Sequence, residues 1–417
     1  MERLQGRVRD YAWGGPAAIP ALFGYPPARG PIAEVWLGAH PDDSACIGAG
    51  PADPLFDPAQ IYAPGASRRQ HADALPMSLE QYIAADPEGT LGEDILEGHG
   101  PTLPYLLKLI APARPLSLQV HPSKAQAEAG YDAEEAAGIP LSSPVRNYRD
   151  RNAKPELVYA ISRFEALVGF RAPRRIAEVV KGLRTPLAEK LRRMVLREGV
   201  QEAFTYLISP ETSPSPERVA KRVEACAERD PEKSPSRRAD AAVVSLAANY
   251  PGDASVLAPL LMNPVSLRPG EALYIPDGTV HAYRSGVAVE IMASSDNVLR
   301  AGLTQKHIDV PELLRIVRAD AAPPMRIAPE RVSSSTSVFY APVEDFELSI
   351  VVLSDANVWD RQRSEGPRTV VCMEGAVHLR AGGKTLVLNE GQALFVGACE
   401  GRLDLRGFGK VVIAAVP

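Results

Sequence analysis

The stretch Gly270-Glu-Ala-Leu-Tyr-Ile-Pro-Asp-Gly-Thr-Val-His281 gives the first indication of the fold. Its first half is a short apolar run typical of a β-strand, and Pro276-Asp-Gly278 predicts a turn directly after it. A similar stretch, Gly391-Gln-Ala-Leu-Phe-Val396, follows another apolar run near the end of the chain. Two copies of one strand-and-turn pattern predict two related β-barrel units. Arg402 stands where the second copy would carry the counterpart of His281, so we expect the second unit to bind no metal.

Two further predicted strands carry polar residues at alternate positions. In Leu116-Ser-Leu-Gln-Val-His-Pro122 a glutamine and a histidine lie two residues apart, and in Lys154-Pro-Glu156 a lysine and a glutamate do. Alternate residues of a strand point to the same face, so each pair can face one cavity. Two imidazoles, one carboxylate and one amide oxygen, with water able to enter, are typical of a catalytic site for a divalent metal. The four candidate ligands are Gln119, His121, Glu156 and His281.

Composition indicates a soluble globular protein. Hydrophobic residues make up 45% of the 417 and charged residues 23%. The chain has no apolar run long enough to span a membrane, and its first thirty residues lack the apolar segment of a secretory signal. The four cysteines lack C-x-x-C spacing, so we expect buried thiols rather than disulfides or metal ligands. These features together predict a cytoplasmic protein.

The charge pattern bears on the partners. The net charge is −5, and no basic stripe with interleaved aromatic residues is present, which argues against nucleic acid. A small anionic substrate remains compatible, because it experiences the local field of its pocket. The sequence also has no P-loop and no G-x-G-x-x-G motif, which argues against nucleotide chemistry. We expect the chain to act as a monomer.

Hydrophobic periodicity changes in the middle of the chain. Up to about residue 170, short β-like runs alternate with Pro- and Gly-rich turns. From Pro173 the apolar residues follow a helical period, as in Ile176, Val179, Val180 and Leu183. Further helices are predicted over Leu187–Leu196, Val200–Ile208, from Pro216 and over Ser236–Ala248. The strand pattern returns near Val265.

The predicted fold class is therefore mainly β, with two cupin-type jelly-roll barrels and an α-helical insertion domain. The first barrel comprises residues 1–172 and 263–320, and it carries the metal site. The helical insertion comprises residues 173–262. The C-terminal, metal-free barrel comprises residues 321–417.

Several long motifs of the chain resemble those of the type I mannose-6-phosphate isomerases. The resemblance spans residues 1–310 in register, and its motifs are Tyr11-Ala-Trp-Gly14, Ala33-Glu-Val-Trp-Leu-Gly-Ala-His-Pro41, Pro115-Leu-Ser-Leu-Gln-Val-His-Pro-Ser-Lys124, Asn152-Ala-Lys-Pro-Glu156, Pro276-Asp-Gly-Thr-Val-His-Ala-Tyr283 and Glu290-Ile-Met-Ala-Ser-Ser-Asp-Asn-Val-Leu-Arg-Ala-Gly-Leu-Thr-Gln-Lys306. The resemblance implies a zinc-dependent interconversion of mannose 6-phosphate and fructose 6-phosphate through a cis-enediol.

The resemblance also implies roles for individual residues. One Zn²⁺ per chain would be bound by the four candidate ligands, and Arg300 would be catalytic. We expect Lys154 to act in proton transfer, with Glu290, Asp296 and Lys306 as the other candidates. The remaining residues expected to contact the phosphorylated sugar are Ser117, Lys108 and Tyr283.

The chain departs from the family pattern at one position. The family usually has histidine just before the lysine of Lys-Pro-Glu, and this chain has Ala153. The segment from Ala129 to Arg151 is also longer than in compact relatives, which predicts a remodelled loop between the second and third ligands. If Ala153 marks a loss of activity, the chain would be a weak or non-catalytic sugar-phosphate-binding cupin.

The sequence leaves two other functions open. One is an isomerase of another phosphorylated aldose. The other is an iron-dependent dioxygenase, which usually has more histidines around an open iron site, so Gln119 fits it poorly.

Overall fold

The metal-ligand candidates lie in a part of the molecule built from two antiparallel sheets packed face to face. The computed structural model describes residues 1–48, 50, 54–56, 77–363 and 365–417. Apolar side chains of both sheets form a shared cluster, which includes Ile110, Val158, Phe164 and Leu267. Complete burial of such a side chain contributes about 1.5–3 kcal/mol. The structure is mainly β, as predicted.

The first of these sheets has seven strands within the described residues. In spatial order they are Met325–Ile327, Ala272–Ile275, Glu156–Ala160, Ala288–Ala293, Tyr105–Ile110, Glu34–Leu37 and Arg7–Arg9. One face carries polar residues in register, such as Glu290 directly opposite Lys108. The other face carries Leu107, Leu157 and Ile291, which pack toward the C-terminal part of the chain. The alternation of strand side chains thus separates a polar interior from an apolar core.

The second sheet has five strands in the described part of the chain. In spatial order they are Leu299–Gly302, Leu118–Val120, His281–Ser285, Phe164–Phe170 and Met262–Leu267. Leu118 and Val120 are fully buried against a cluster of helices, while Gln119 between them points away from that cluster. The apolar residues of this short strand therefore fix which way the polar residue between them points.

Helices cover the outer face of the five-stranded sheet. Five of them lie between Phe164–Phe170 and Met262–Leu267, where helical periodicity was predicted: Pro173–Val180, Pro186–Arg197, Val200–Ile208, Pro216–Ala227 and Arg237–Asn249. Three begin with proline at the first helical turn, where a missing N–H costs nothing. Their apolar faces join Leu118 and Val120 in one core.

The segment after His121 differs from the prediction of a loop. Residues Lys124–Ala136 form a helix, and only the following residues up to Pro155 are irregular. Ser123 and Gln126 form a reciprocal capping box, which satisfies the first free N–H groups. The helix is also rich in alanine, the residue with the highest helix propensity. The capping box and the alanine-rich composition therefore stabilise a helix in a segment for which a loop was predicted.

A third sheet contains the C-terminal strands and the start of the chain. Across the sheet the described strands are Glu330–Arg331, Thr336–Phe339, Glu347–Arg361, Asp404–Ala415, Arg368–Ala381, Gln392–Val396, Glu2–Gln5 and Cys46–Ile47, with Lys384–Asn389 beside Arg368–Ala381. Arg368–Ala381 is one continuous strand, and its register with Asp404–Ala415 is irregular between Cys372 and Glu374. The pairing of Glu2–Gln5 with Gln392–Val396 joins the two ends of the chain.

Short helices complete the described structure. They are Ala18–Leu22, Leu79–Ala85, Pro87–Leu91, Glu93–His99 and Val310–Ile316, with 3₁₀ turns at Pro231–Lys233, Ala254–Leu260 and Ala398–Glu400. Among the described helices, none combines the length and apolar character needed to cross a membrane. The four cysteines form no disulfide, as predicted, but Cys399 is exposed rather than buried.

Candidate metal centre and active-site cavity

Three of the predicted ligands converge at one point between the two packed sheets. One ligand atom from each of His121, Glu156 and His281 lies within 4.8 Å of the others, and all three residues are buried. The Nε2 atom of His121 is 3.1 Å from Glu156 Oε1, and the Nε2 atom of His281 is 3.3 Å from Glu156 Oε2. The carboxylate therefore lies between two imidazole nitrogens.

Each ligand is positioned by a strand or by the residue next to one. Gln119 and His281 are directly opposite each other in the five-stranded sheet. His121 follows the strand Leu118–Val120, and Glu156 begins a strand of the facing sheet. The ligand set therefore bridges two sheets, so metal binding would link them.

Backbone carbonyls fix the tautomer of both histidines. His121 Nδ1 donates to the carbonyl oxygen of Asn297 at 2.7 Å, and His281 Nδ1 donates to that of Thr279 at 2.9 Å. A carbonyl only accepts, so each Nδ1 carries the proton and each Nε2 presents a lone pair. Burial lowers the pKa of His121 to about 4, although Glu156 opposes this shift. The ring is therefore neutral near pH 7.

The resulting arrangement has the properties of a cation site. His121 Nε2 is buried, faces the carboxylate of Glu156 and has no hydrogen-bond partner in the part of the chain that the structure describes. A lone pair facing a carboxylate is unfavourable unless a cation lies between them. Gln119 Nε2 lies 3.1 Å from His281 Nε2, and a half turn of this amide would bring its oxygen to the same place. The donor set therefore fits a divalent metal.

A cavity of about 950 Å³ opens beside this centre. It is lined by every predicted site residue except His121 and His281: Lys108, Ser117, Gln119, Lys154, Glu156, Tyr283, Glu290, Asp296, Arg300 and Lys306. The structure thus brings together residues that are separated by up to about two hundred positions in sequence.

Arg300 and Lys154 have free charged groups. Arg300 lies directly opposite Gln119 in the five-stranded sheet, so it adjoins a candidate ligand. Its side chain makes no hydrogen bond or ion pair with any residue that the structure describes. The same holds for the ammonium group of Lys154, which is buried. Both cations can therefore interact with a bound substrate without first breaking an internal contact.

Two predicted substrate contacts already have internal partners. The ammonium of Lys108 donates to Glu290 Oε2 at 3.2 Å. Burial alone would lower the pKa of Lys108, but the carboxylates of Glu34, Glu290 and Glu156 outweigh burial and raise it. The hydroxyl of Tyr283 donates to Glu156 Oε2 at 2.9 Å. These contacts hold the cavity wall and orient a candidate ligand, and they leave Lys108 less available than Lys306 to bind a phosphate.

Asp296 lines both the main cavity and a second one of about 780 Å³. His40 Nε2 is 3.4 Å from Asp296 Oδ1, and Asp42 contributes a third group to the same cluster. Burial alone would raise the pKa of Asp296, but the interactions with His40 and then with Lys154 lower it. Ala153 lines the second cavity and not the one that contains Lys154.

Several residues that line the cavity were given no functional role on the basis of the sequence. They are Arg9, Tyr11, Trp13, Glu34, Trp36, Arg114, Arg149 and Asn147. The aromatic and acidic members occur in motifs that carry the family resemblance, so the resemblance could have identified them. Arg149 belongs to an arginine-rich loop and had no signal beyond its charge.

The geometry defines a metal site of catalytic type: buried nitrogen and oxygen ligands beside a cavity lined by free cations. Comparison with known proteins agrees. Residues 53–173 match the family model described as phosphomannose isomerase type I, catalytic domain. The chain is 36% identical to the mannose-6-phosphate isomerase of Escherichia coli over 416 residues, which covers 99% of this chain and 98% of that protein.

Solved structures give the same assignment. A mutant of phosphomannose isomerase from Salmonella typhimurium matches with a TM-score of 0.84 and 31% identity, over 100% of this chain and 99% of that one. A mannose 6-phosphate isomerase solved in its zinc-bound form matches with a TM-score of 0.83 and 32% identity, over the same shares. The chain belongs to the type I mannose-6-phosphate isomerase family, and the predicted resemblance is confirmed.

Proposed function

We propose that the protein is a zinc-dependent aldose–ketose isomerase that interconverts mannose 6-phosphate and fructose 6-phosphate. The observation that carries this proposal is the unpartnered Nε2 of His121, which faces Glu156 beside a cavity with free cations. Relatives with the same fold carry this activity in their names, and one was solved with zinc.

The ligand set suits an electrophilic metal. Gln119, His121 and His281 would bind as neutral groups, and Glu156 would contribute one negative charge. With Zn²⁺ the site would keep a net charge of about +1. Zinc supplies Lewis-acid polarisation of substrate oxygen, which stabilises negative charge that develops there.

The reaction moves a hydrogen between C1 and C2 through a cis-enediol, so a base must remove a proton from carbon. Lys154 is the best placed group, because it is buried in the cavity wall two residues from Glu156 and its ammonium group makes no hydrogen bond or ion pair with a described residue. Glu290 is paired with Lys108, and Lys306 is exposed. Asp296 lies on the far wall beside His40 and remains the second candidate. General acid–base catalysis contributes typically ~10²–10⁴-fold.

Arg300 would stabilise the oxyanion of the enediolate. Guanidinium groups stay protonated near neutral pH, and this one has no competing carboxylate among the described residues. Its position opposite Gln119 places its backbone next to the metal ligands. A donor placed in advance of the reaction costs no reorganisation in the transition state.

A second candidate function is isomerisation of another phosphorylated aldose, and a third is sugar-phosphate binding without turnover. Ala153 motivates the third, because the family usually has histidine there. The test is a substrate panel on zinc-loaded protein, with product measured by a coupled assay. We expect mannose 6-phosphate to give the highest kcat/KM. Turnover of a different aldose phosphate alone would select the second function, and binding without any turnover would select the third.

We also propose the finer architecture that the sequence predicted. Two cupin barrels, with residues 173–262 as a helical insertion, are supported by the facing sheets around the cavity and by the five consecutive helices between two adjacent strands. The sequence placed residues 1–172 in the first barrel, but the pairing of Glu2–Gln5 with Gln392–Val396 supports including Glu2–Gln5 in the second. We further propose a cytoplasmic monomer, which sedimentation at micromolar concentration would test.

A further inference from the structure

Three cations of the cavity lie near one another and have no hydrogen-bond or ion-pair partner among the described residues. Arg149, Arg300 and Lys306 all line the cavity, and none has a side-chain hydrogen bond or ion pair to a described residue. Burial and then the charge of Arg149 lower the pKa of Arg300, and burial, Arg300 and Arg149 lower that of Lys306. Mutual repulsion of this kind is relieved when an anion binds between the cations.

Other basic residues of the same cavity differ in this respect. Arg9 is ion-paired with Asp43, and Arg146 with Glu134, while Lys108 is paired with Glu290. Their charges are neutralised locally, so they add little attraction for an anion. Among the described residues that line the cavity, the cations without such a partner are therefore Arg149, Arg300 and Lys306, together with Arg114 and the buried Lys154.

The positions of these cations indicate two different roles in binding a substrate. Arg300 is in a strand and adjoins Gln119, whereas Arg149 and Lys306 are exposed and lie in loops. His121, Glu156 and His281 are buried, whereas Arg149 and Lys306 are exposed, so the exposed pair is nearer the opening of the cavity. A dianionic group at one end of a substrate would fit the exposed pair, while the other end reaches the metal ligands.

One buried residue connects this exposed pair to the metal ligands. The side-chain oxygen of Asn297 accepts from the backbone N–H of Arg149 at 2.7 Å and of Asp150 at 3.3 Å. Its amide nitrogen donates to the carbonyl oxygens of Asp150 and Asn152. The backbone carbonyl of the same Asn297 accepts from His121 Nδ1.

We propose that Arg149, together with Lys306, binds the phosphate group of the substrate, and that Asn297 sets the distance between this phosphate site and the metal ligand His121. This inference rests on the proposed function and deepens it. A fixed distance favours sugars whose phosphate lies at the end opposite C1. It therefore makes Arg149 a specificity-determining residue and Asn297 a positioning residue.

The first test measures binding of inorganic phosphate to zinc-loaded protein by calorimetry, so it does not depend on turnover. Charge-assisted hydrogen bonds to phosphate are strong, and we expect Arg149→Gln to weaken binding on the order of tenfold or more. Arg151→Gln is the matched control, because Arg151 is exposed and pairs with Asp132 outside the cavity. Equal phosphate affinity in Arg149→Gln and the wild type would overturn the proposal.

The same variants separate this inference from the proposed function. If Arg149→Gln binds phosphate weakly but the wild type isomerises no sugar phosphate, the phosphate site stands and the isomerase proposal fails. If the wild type isomerises mannose 6-phosphate and Arg149→Gln keeps its KM, the isomerase proposal stands and the phosphate site fails.

The second test addresses Asn297. Asn297→Asp keeps an acceptor for the N–H of Arg149 and loses the donor to the carbonyl groups, and Asn297→Ala loses both. We expect phosphate affinity and zinc affinity to fall together, more in Asn297→Ala than in Asn297→Asp, with zinc affinity measured by chelator competition. Lower thermal stability with both affinities unchanged in Asn297→Asp would show a merely structural residue and overturn the positioning role.

Discussion

The pair of facing sheets and the C-terminal sheet differ in the number of charged side chains that they bury. Between the five- and seven-stranded sheets, Lys108, Glu156 and Glu290 are each at most 5% exposed. The core of the C-terminal sheet consists mainly of apolar residues such as Val377, Leu379 and Leu405, although Arg368 and Asp404 of that sheet are also buried. Within residues 321–363 and 365–417, no group of three His, Cys, Asp or Glu side chains is close enough to hold a metal. Buried charges cost stability, so their concentration in one part marks where the chemistry occurs.

The largest expected effect comes from removing a ligand. His281→Ala should release most of the metal and lower kcat by at least about 10³-fold, or ~4 kcal/mol of activation free energy. Elemental analysis and a coupled assay on the same sample measure both. His378→Ala in the C-terminal sheet is the control and should retain metal and activity. Full retention of metal in His281→Ala would contradict the ligand assignment.

Arg300→Ala is expected to have the next largest effect. If Arg300 acts on the transition state, kcat and kcat/KM should fall by similar factors of about 10²–10³, or ~2.7–4 kcal/mol. Steady-state kinetics on zinc-loaded protein gives both values. A rise in KM with unchanged kcat would instead make Arg300 a phosphate anchor.

Paired substitutions test the contrast between the two parts directly. Lys108→Met leaves Glu290 buried without its partner and should lower the free energy of unfolding by about 3 kcal/mol. Leu379→Ala leaves a cavity in the C-terminal core and should cost about 2–5 kcal/mol. Denaturant unfolding measures both losses. Of the two variants, only Lys108→Met should also reduce kcat at denaturant concentrations below its unfolding transition. If Leu379→Ala reduces kcat as strongly, the functional division between the two parts is wrong.

The smallest expected effect is at Ala153. This residue lines the second cavity beside Asp296, and not the cavity of Lys154 and Glu156. A histidine here would act through ring opening or water positioning, so Ala153→His should raise the rate by less than about tenfold, or ~1.4 kcal/mol. Turnover of mannose 6-phosphate by both forms at saturating zinc is the measurement. A wild type without activity beside an active Ala153→His variant would show that the chain has lost the reaction.

The candidate ligands could be predicted because strand parity is a local property. Gln119 lies between two apolar residues that must face the core, so its direction follows from its neighbours. The helices after Pro173 were predictable for a similar reason, since their apolar period is unambiguous. The helix Lys124–Ala136 was missed although its capping residues were visible in the sequence.

Contacts between distant segments could not be predicted from local pattern. The pairing of Lys108 with Glu290 depends on the register of two strands that are 182 residues apart. His40 lies in a loop and contacts Asp296. A loop has no periodicity that would indicate where its side chains point. Arg149 is positioned by Asn297, and an asparagine in a sequence gives no sign of the backbone groups that it will bind.

One zinc ion, bound by Gln119, His121, Glu156 and His281, is expected to be required for sugar-phosphate isomerisation. This requirement is tested by measuring zinc content and mannose 6-phosphate turnover of the same protein before chelation, after chelation and after zinc is restored. We expect about one zinc per chain, loss of turnover with loss of zinc, and recovery of both together. Undiminished turnover by the zinc-free protein, or two zinc ions per chain with both required, would contradict it.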